Sequence, residues 1–433
     1  MPRQRTLIIL LAIVAIAFAA RFLFAGYVVA WSTPGKGDDA EFHVMAGNLA
    51  AGEGLIGNDG QPTARRAPAY PMLLSILYRA TGPSEPAARF LQVLMGALLV
   101  FPVFRLGRRC FGETTGLVAA ALVALNPFLA FVSGYTLSEN LYLLLVFGAL
   151  VAMPQPADLT GPRWRPLLAA GLYGVAALTR PTAMALGLLC FGAAVVLAPG
   201  ARRRRLRRLG LAAAVFVVIT LPWMIRNATT MGGWVGITSY SGMVLLQSNN
   251  HKVMDIPHYR GGVAPMPALP RYDDLMAMGE LERDAFAGKM ARQFLRHNWR
   301  SIPKLAWWKL KRFWRLKSDT GLSGIRSGWW FSGRSFLGSF AQRFDVGLLY
   351  SLVVFPGFIA GVVLTRRRWR ELALLYAPPV LHTGLAVIFF GSLRMRVPVE
   401  PVMAIFTAAA LVALIEWVRR RRSDKRAPGP APE

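Results

Sequence analysis

The stretch GDDAEFHVMAGNLAAGEG sets Asp38 and Asp39 side by side, directly beyond about twenty-five nearly continuous apolar residues. Adjacent carboxylates at the edge of a greasy segment suit proton abstraction from a substrate held at a membrane surface. A plainer reading competes on equal terms: Asp38 with Glu41 three residues on is a capping-box pattern, and acids favour a helix N-terminus. Glu139 in GYTLSENLYLLL stands at the start of another apolar stretch, where it also suits the helix dipole. Arginines recur at comparable edges: Arg65 and Arg66 in ARRAPAYPMLL, Arg180 in LTRPT, Arg226 in LPWMIRN, and Arg394 and Arg396 in SLRMRVPVEP. Planar guanidinium groups bind phosphate through paired hydrogen bonds, so a lipid phosphate or pyrophosphate is the expected ligand. For any one of them, snorkelling to headgroups is the simpler account. Tyr70 and His43 are further candidates in the same outer stretches.

The loop NNHKVMDIPH offers His251, Asp255 and His258 as a candidate divalent-metal set, although their spacing matches no known ligand pattern. Cys110 and Cys190 are the chain's two cysteines, which excludes a disulfide framework and a cysteine zinc site.

Positioning these groups falls to membrane helices. The 433 residues are 54% hydrophobic and 17% charged, and charge interrupts the apolar runs at about the interval of one bilayer crossing. Ten spans are expected, roughly at 6–30, 87–106, 114–132, 137–153, 166–180, 182–199, 208–225, 344–364, 371–391 and 398–418. The first is read as a retained span, with cleavage as a signal peptide left open. The net charge of +28 does not point to nucleic acid, because it falls in clusters between spans: Arg105, Arg108 and Arg109, then Arg163 and Arg165, then ARRRRLRR, RRRWR and the tail RRRRSDKR. Such clusters mark cytoplasmic loops. That parity puts two long segments, 31–86 and 226–343, on the outer face, together with all the acids and arginines singled out above.

Phe42, Met45, Ala46 and Leu49 recur at helical spacing, which predicts a short amphipathic helix after the aspartates. DDLMAMGELERDAFAGKMARQFLRHN reads as one helix. KLAWWKLKRFWRLK reads as another, lying in the interface with Ala306, Trp307, Leu310, Phe313 and Trp314 as its apolar stripe and Lys304, Lys311, Arg312 and Arg315 opposite. The chain divides into a transmembrane module at 1–225, an outer-face segment at 226–343, C-terminal transmembrane helices at 344–418 and a basic, disordered cytoplasmic tail at 419–433.

The blocks GDDAEFHVMAGNLAAGEG, RRAPAYPMLL, GYTLSENLYLLL, LTRPTAM, LPWMIRNATTMGGWVGITSYSGMVLLQSNN and SLRMRVPVEPVMA resemble, in order, those of glycosyltransferase family 39 in the GT-C superfamily. These are transferases that use polyprenyl-phosphate sugars, related to aminoarabinose and protein O-mannosyl transferases. The resemblance implies an all-α polytopic GT-C fold with outer juxtamembrane helices. It implies Asp38 as catalytic aspartate, Asp39 where many members have glutamate, Phe42 where many have tyrosine, and Glu139 as the second acid. It also puts Arg394 and Arg396 at an Arg-Tyr-Arg position, here Arg-Met-Arg.

Residues and resemblance together predict transfer of a sugar, with inversion, from a polyprenyl-phosphate carrier to a glycan, lipid or protein hydroxyl on the outer face of a bacterial inner membrane. Asp38 is the expected base with Asp39 supporting it, and Arg65, Arg66, Arg180, Arg226, Arg394 and Arg396 hold the donor phosphate. The competing class is a transporter or flippase of a lipid-linked sugar, which predicts charges near the bilayer midplane and symmetry between halves. The span centres are nearly free of charge, and no repeat is evident.

Overall fold

The computed structural model describes residues 3–29, 31–32, 35, 37–154, 162, 164–197, 202–316 and 346–424. Arg163, residues 317–343 of the expected outer segment and residues 425–433 of the expected tail lie outside them.

The chain is built of helices. Helix α1 (Arg3–Leu23) widens into a π-turn at Phe24–Val29 before the first loop. Then come α2 (Asp38–Ala51), α3 (Ala69–Thr81), α4 (Glu85–Leu98), α5 (Val100–Phe111), α6 (Glu113–Ala124), α7 (Pro127–Ser133) and α8 (Glu139–Ala152). These are followed by α9 (Trp164–Ala177), α10 (Thr182–Leu197), α11 (Arg202–Met231), α12 (Ser241–Ser248), α13 (His251–Asp255), α14 (Tyr272–Ala277), α15 (Glu280–His297) and α16 (Ile302–Phe313). The last four are α17 (Val346–Thr365), α18 (Ala373–Ile388), α19 (Leu393–Arg396) and α20 (Glu400–Asp424). Among the described residues the extended pairing is a single bridge between Ile56 and Pro62.

Each of the ten expected spans overlaps a helix among the described residues, but these helices are not equally able to cross a membrane. Among the described residues five helices are long and apolar enough, or six if the bent pair α6 and α7 is one span. Helices α8, α10 and α18 are shorter. The reason is geometric: a 14-residue helix such as α8 rises about 21 Å, less than the roughly 30 Å hydrocarbon core.

One buried core joins α1, α5, α6, α8, α9, α10, α18 and α20, with Tyr142, Phe147, Tyr173 and Phe406 fully enclosed. A second lies under α2, α3 and α4, where Phe42, Ala46, Tyr70, Leu74 and Tyr78 pack. A third joins α12, α13, α14, α15 and α16 through Met243, Leu246, Leu275, Ala287 and Leu305.

Arginines of the basic loops close one end of the bundle. Arg109 donates to the carbonyls of Leu150, Val151 and Met153, Arg165 to those of Val151 and Ala152, and Arg368 to that of Cys110. Guanidinium groups thus satisfy carbonyls that a helix end leaves without partners. Glu139, one of the acids discussed below, stands at the opposite end of α8.

Local chemistry explains the breaks. The bend of 54° between α6 and α7 is set by Asn126, whose Oδ1 accepts from the backbone N of Phe128 and Leu129 at 2.9 and 3.0 Å, with Pro127 at the first position of α7. Asn126 Nδ2 donates to Glu400 and to the Tyr350 hydroxyl, both at 3.0 Å. Gly37, at φ 60°, makes the turn into α2 in a conformation costly for a side chain.

One expectation about an amphipathic stretch is corrected. The stretch from Asp273 to Asn298 is two helices, α14 and α15, broken at Met278 and Gly279. In α16 the buried positions are Leu305, Lys309 and Phe313, while Trp307 is 63% exposed. Where lipid is the neighbouring solvent, an apolar side chain is as much at home facing outward as facing protein.

Replacing Asn126 with alanine removes the α7 cap and two links to α17 and α20. The expected loss is about 2 kcal/mol, read as a lower thermal unfolding midpoint of the purified protein, with Asn126→Ser recovering part of it.

Candidate active site

The first turn of α2 presents Asp38 to two arginines from distant parts of the chain. Its Oδ1 accepts from Arg66 Nη2 and its Oδ2 from Arg394 Nη1. Arg394 also donates through Nε to Glu139 Oε1, to which Arg180 Nη1 comes within 2.7 Å. Glu139 opens α8 and is 1% exposed, and among the described residues its other oxygen, Oε2, has no hydrogen-bond partner. Glu41, one turn along from Asp38, takes Arg66 Nε and Nη2 at 2.8 and 2.7 Å and pairs with Arg65 at 3.2 Å.

Three carboxylates therefore interlock with four guanidinium groups, Arg65, Arg66, Arg180 and Arg394, leaving an excess of one positive charge. Burial would raise the Asp38 carboxyl, but Arg394 and then Arg66 outweigh it and hold the group well below the usual carboxylate range. Burial would likewise weaken the charge on Arg66, yet Asp38 and Glu41 raise its affinity for its proton. A site so arranged is acidic and basic at once, able to accept a proton and bind an anion a few ångströms apart.

Residues 63–66 owe their position to the second long segment. Glu280, at the start of α15, accepts from Thr63 Oγ1 at 2.6 Å, Ala64 N at 2.9 Å and the Ser239 hydroxyl. Ser239 N donates back to the Ala64 carbonyl at 3.0 Å. The Tyr240 ring lies 4.3 Å from the Arg65 guanidinium carbon and 5.5 Å from that of Arg66.

Several expected site residues are placed elsewhere. Asp39 turns from Asp38 to accept from Thr136 N at 3.0 Å, with Arg89 at 3.9 Å. Burial, and then the charge of Glu85, push its carboxyl up. His43 joins the same group, 2.7 Å from the Tyr78 hydroxyl and 3.7 Å from Glu85. Tyr70 is fully buried, edge-on to Phe42 at 5.0 Å between ring centres, with its oxygen accepting from Gln92.

Arg226 donates to the carbonyls of Thr63 and Leu55 at 3.0 and 3.3 Å, bracing the loop that carries Arg65 and Arg66. Arg396 corrects the expectation that it reaches a phosphate: it is wholly buried, bonded to Glu400 at 2.8 Å and to the carbonyls of Phe313 and Arg315, with its guanidinium over the Phe128 and Phe355 rings. An acid one helical turn along claims it first. The capping reading of Asp38 is also corrected, since α2 starts without a side-chain cap.

The structure does not bring His251, Asp255 and His258 together. His251 leans on the Phe294 ring and His258 on that of Tyr259, and among the described residues no three such side chains could hold a metal ion. The acids of the cluster, each held by arginine, are a poor donor set for a cation.

Glu41, Tyr240 and Glu280 join the site without being candidates from sequence. Glu41 was legible, because i and i+3 share a helix face with Asp38. Glu280 and Tyr240 come from another segment, with no local signal.

Residues 65–225 match the family described as Dolichyl-phosphate-mannose-protein mannosyltransferase. No curated protein matches the chain. Among solved structures, the Archaeoglobus fulgidus oligosaccharyltransferase AglB, in complex with an inhibitory peptide and a dolichol-phosphate, is 15% identical, with a TM-score of 0.56 over 99% of this chain and 52% of that one. The same enzyme tethered to an acceptor peptide is 17% identical, with a TM-score of 0.59 over 98% of this chain and 51% of the other, and it has also been solved with Zn and sulfate. ArnT from Cupriavidus metallidurans aligns at 16% identity and a TM-score of 0.45, over 92% and 76% of the two chains. The chain spans about half the length of the AglB structures. The fold is that of the GT-C glycosyltransferases, an integral membrane architecture, and residues 65–225 carry the sequence pattern of the mannosyltransferase family.

Substituting Glu280 with alanine leaves the Ala64 N–H without its acceptor. Amide exchange across residues 63–66 is expected to quicken by on the order of tenfold, measured by hydrogen–deuterium exchange, while the basic end of the bundle is unaffected.

Proposed function

We propose that this chain transfers a sugar from a polyprenyl-phosphate carrier to a hydroxyl acceptor, at the outer face of a bacterial inner membrane. The observation that carries the reading is Asp38 held between Arg66 and Arg394, with Glu139 and Arg180 adjoining. A base and several guanidinium groups at one membrane level are what this reaction needs. The acceptor oxygen attacks the anomeric carbon, its proton passes to Asp38, and the bond from that carbon to the phosphate oxygen breaks with its electron pair going to the phosphate. A single displacement of this kind inverts the anomeric carbon.

Arg66, Arg394, Arg180 and Arg65 supply the charge that steadies the departing phosphate. With no anion bound they neutralise the acids instead. An arriving phosphate competes for Arg66 and Arg394 and so releases Asp38, which becomes a better base when the donor is in place. The excess positive charge supports this exchange. AglB, solved with a dolichol-phosphate, offers a parallel for the carrier. The outer location rests on the basic loops gathering at the opposite end from the acids, as expected of cytoplasmic loops.

Asp38 and Asp39 are expected to separate in function. With purified protein and radiolabelled polyprenyl-phosphate sugars, Asp38→Asn lowers transfer by roughly 10²- to 10⁴-fold. Asp39→Asn keeps the Thr136 hydrogen bond, relieves the repulsion from Glu85, and stays within about threefold of wild type. Undiminished transfer in Asp38→Asn removes it as the base.

The pH dependence follows from the sign of the shift. Asp38 has a depressed folded pKa, so its ion pairs are fully present above its unfolded value of about 4 and are lost as pH falls through the lower folded value. The free enzyme's kcat/KM is therefore expected to show no acid limb from Asp38 between about pH 5 and 7, and a limb there that vanishes in Asp38→Asn shows that the two arginines do not depress this carboxyl in solution.

A further inference from the structure

Both arginines that share Asp38 are braced by the same part of the chain. Helices α12 to α16 pack around one core, through Met243, Leu246, Leu275, Ala287 and Leu305. At one place this body meets the loop carrying Arg66, through Glu280, Ser239 and Tyr240. At another it meets the link from α18 to α19, the short helix on which Arg394 stands, and that contact centres on a lysine to which the proposed reaction gives no part.

Lys309 lies on the buried line of α16 and is 1% exposed. Its Nζ donates to Asn249 Oδ1 at 2.7 Å and to the carbonyls of Ile388 and Val387 at 3.1 and 3.2 Å. Three acceptors match the three N–H bonds of an ammonium group. Two of them are carbonyls at the C-terminal end of α18, where a helix leaves its last oxygens without partners and favours a cation. Asn249, at the end of α12, adds a bond from its own Nδ2 to the Ile388 carbonyl at 3.3 Å. Helices α12, α16 and α18 therefore meet at one nitrogen.

Backbone contacts carry the hold on toward Arg394. Gly391 N donates to the Gly261 carbonyl at 2.8 Å. Side chains have no room here: a Cβ on Gly391 would collide with the Lys309 carbonyl, and one on Gly261 with that of Trp308. Directly after, Ser392 caps α19 by accepting from Met395 N at 3.1 Å, and Arg394 on that turn reaches Asp38 and Glu139.

We propose that Lys309 is a positioning residue: bonded across α12, α16 and α18, it holds the start of α19 so that Arg394 meets Asp38 and Glu139. The body of α12 to α16 thereby sets both arginines of the shared carboxylate, Arg66 through Glu280 and Arg394 through Lys309. The consequence for donor affinity rests on the transfer reading above, whereas the hold on α19 does not, so the two can fail separately.

The test uses the full chain in detergent at about pH 6, below the value of about 7 to which burial pushes the Lys309 ammonium. Hydrogen–deuterium exchange needs no substrate and comes first. Lys309→Met keeps the stem and removes the donors, so exchange across residues 391–396 is expected to quicken by about fivefold or more while residues 63–66 keep their wild-type rates. Glu280→Ala shows the reverse pattern. Asn249→Ala leaves Lys309 its two carbonyls and gives a smaller change at 391–396, and it decides the matter if thermal unfolding shows that Lys309→Met does not fold. Binding of decaprenyl phosphate comes second. Lys309→Met weakens it by about tenfold alone and by less than about twofold in an Arg394→Gln background, because a residue that acts through Arg394 then has nothing to act on. Unchanged exchange at 391–396, quickening spread evenly over 63–66, or an equal loss of binding with and without Arg394 overturns the proposal. If the exchange pattern is as expected but the wild-type protein does not bind decaprenyl phosphate, the positioning role stands and the transfer reading falls.

Discussion

The arrangement depends on one carboxylate shared by two arginines that enter from opposite ends of the sequence. Asp38 draws in Arg66 from the first loop and Arg394 from the approach to the last helix. Each arginine is part-buried, and the shared acid offsets the cost of drawing its charge partly out of water. Glu139 and Glu41 extend the same logic outward, each binding a further arginine. The lattice joins α2, α8, α19 and the loops beside α3 and α10 into one polar layer over an apolar bundle. Its excess of one positive charge distinguishes it from a balanced set of salt bridges and suits the anionic donor that the proposed function requires.

Rigidity in that layer comes from outside it. Glu280 and Tyr240 hold the segment bearing Arg65 and Arg66, so the second long segment builds part of the first segment's site. Behind Arg394, the buried pair Arg396 and Glu400, with Asn126 and Tyr350, locks the start of α20 to α7 and α17. The short helix α19 thus has one arginine turned to the acids and one turned to the protein interior.

Much of the fold was legible in the chain. Apolar runs of about twenty residues, broken by arginine clusters, mark membrane helices whichever way they pack, because the bilayer imposes length and hydrophobicity on each segment separately. The amphipathic pattern of α2 was equally local, and Phe42, Met45 and Ala46 are buried as their spacing implies. The apolar stripe of α16 does not say which side packs on protein, for a physical reason: beside a membrane, hydrophobicity does not tell inside from outside. There the buried line runs through Leu305, Lys309 and Phe313, with a lysine at its centre.

The chemical types in the site, acids and arginines at helix ends, were determined by the sequence alone, as was the helical membrane class. What only tertiary structure decided was which neighbour of each pair takes part. Adjacent residues on a helix diverge by about 100°, so Asp38 and Asp39 must face different partners, and Arg394 and Arg396 cannot share one. Which of each pair meets the site depends on how a helix is rotated, and that rotation is set by distant contacts such as Thr136 for Asp39 and Arg66 for Asp38, while Arg396 is held by Glu400 one turn along and by the carbonyls of Phe313 and Arg315. Composition places charge at a membrane level, but only packing aims it.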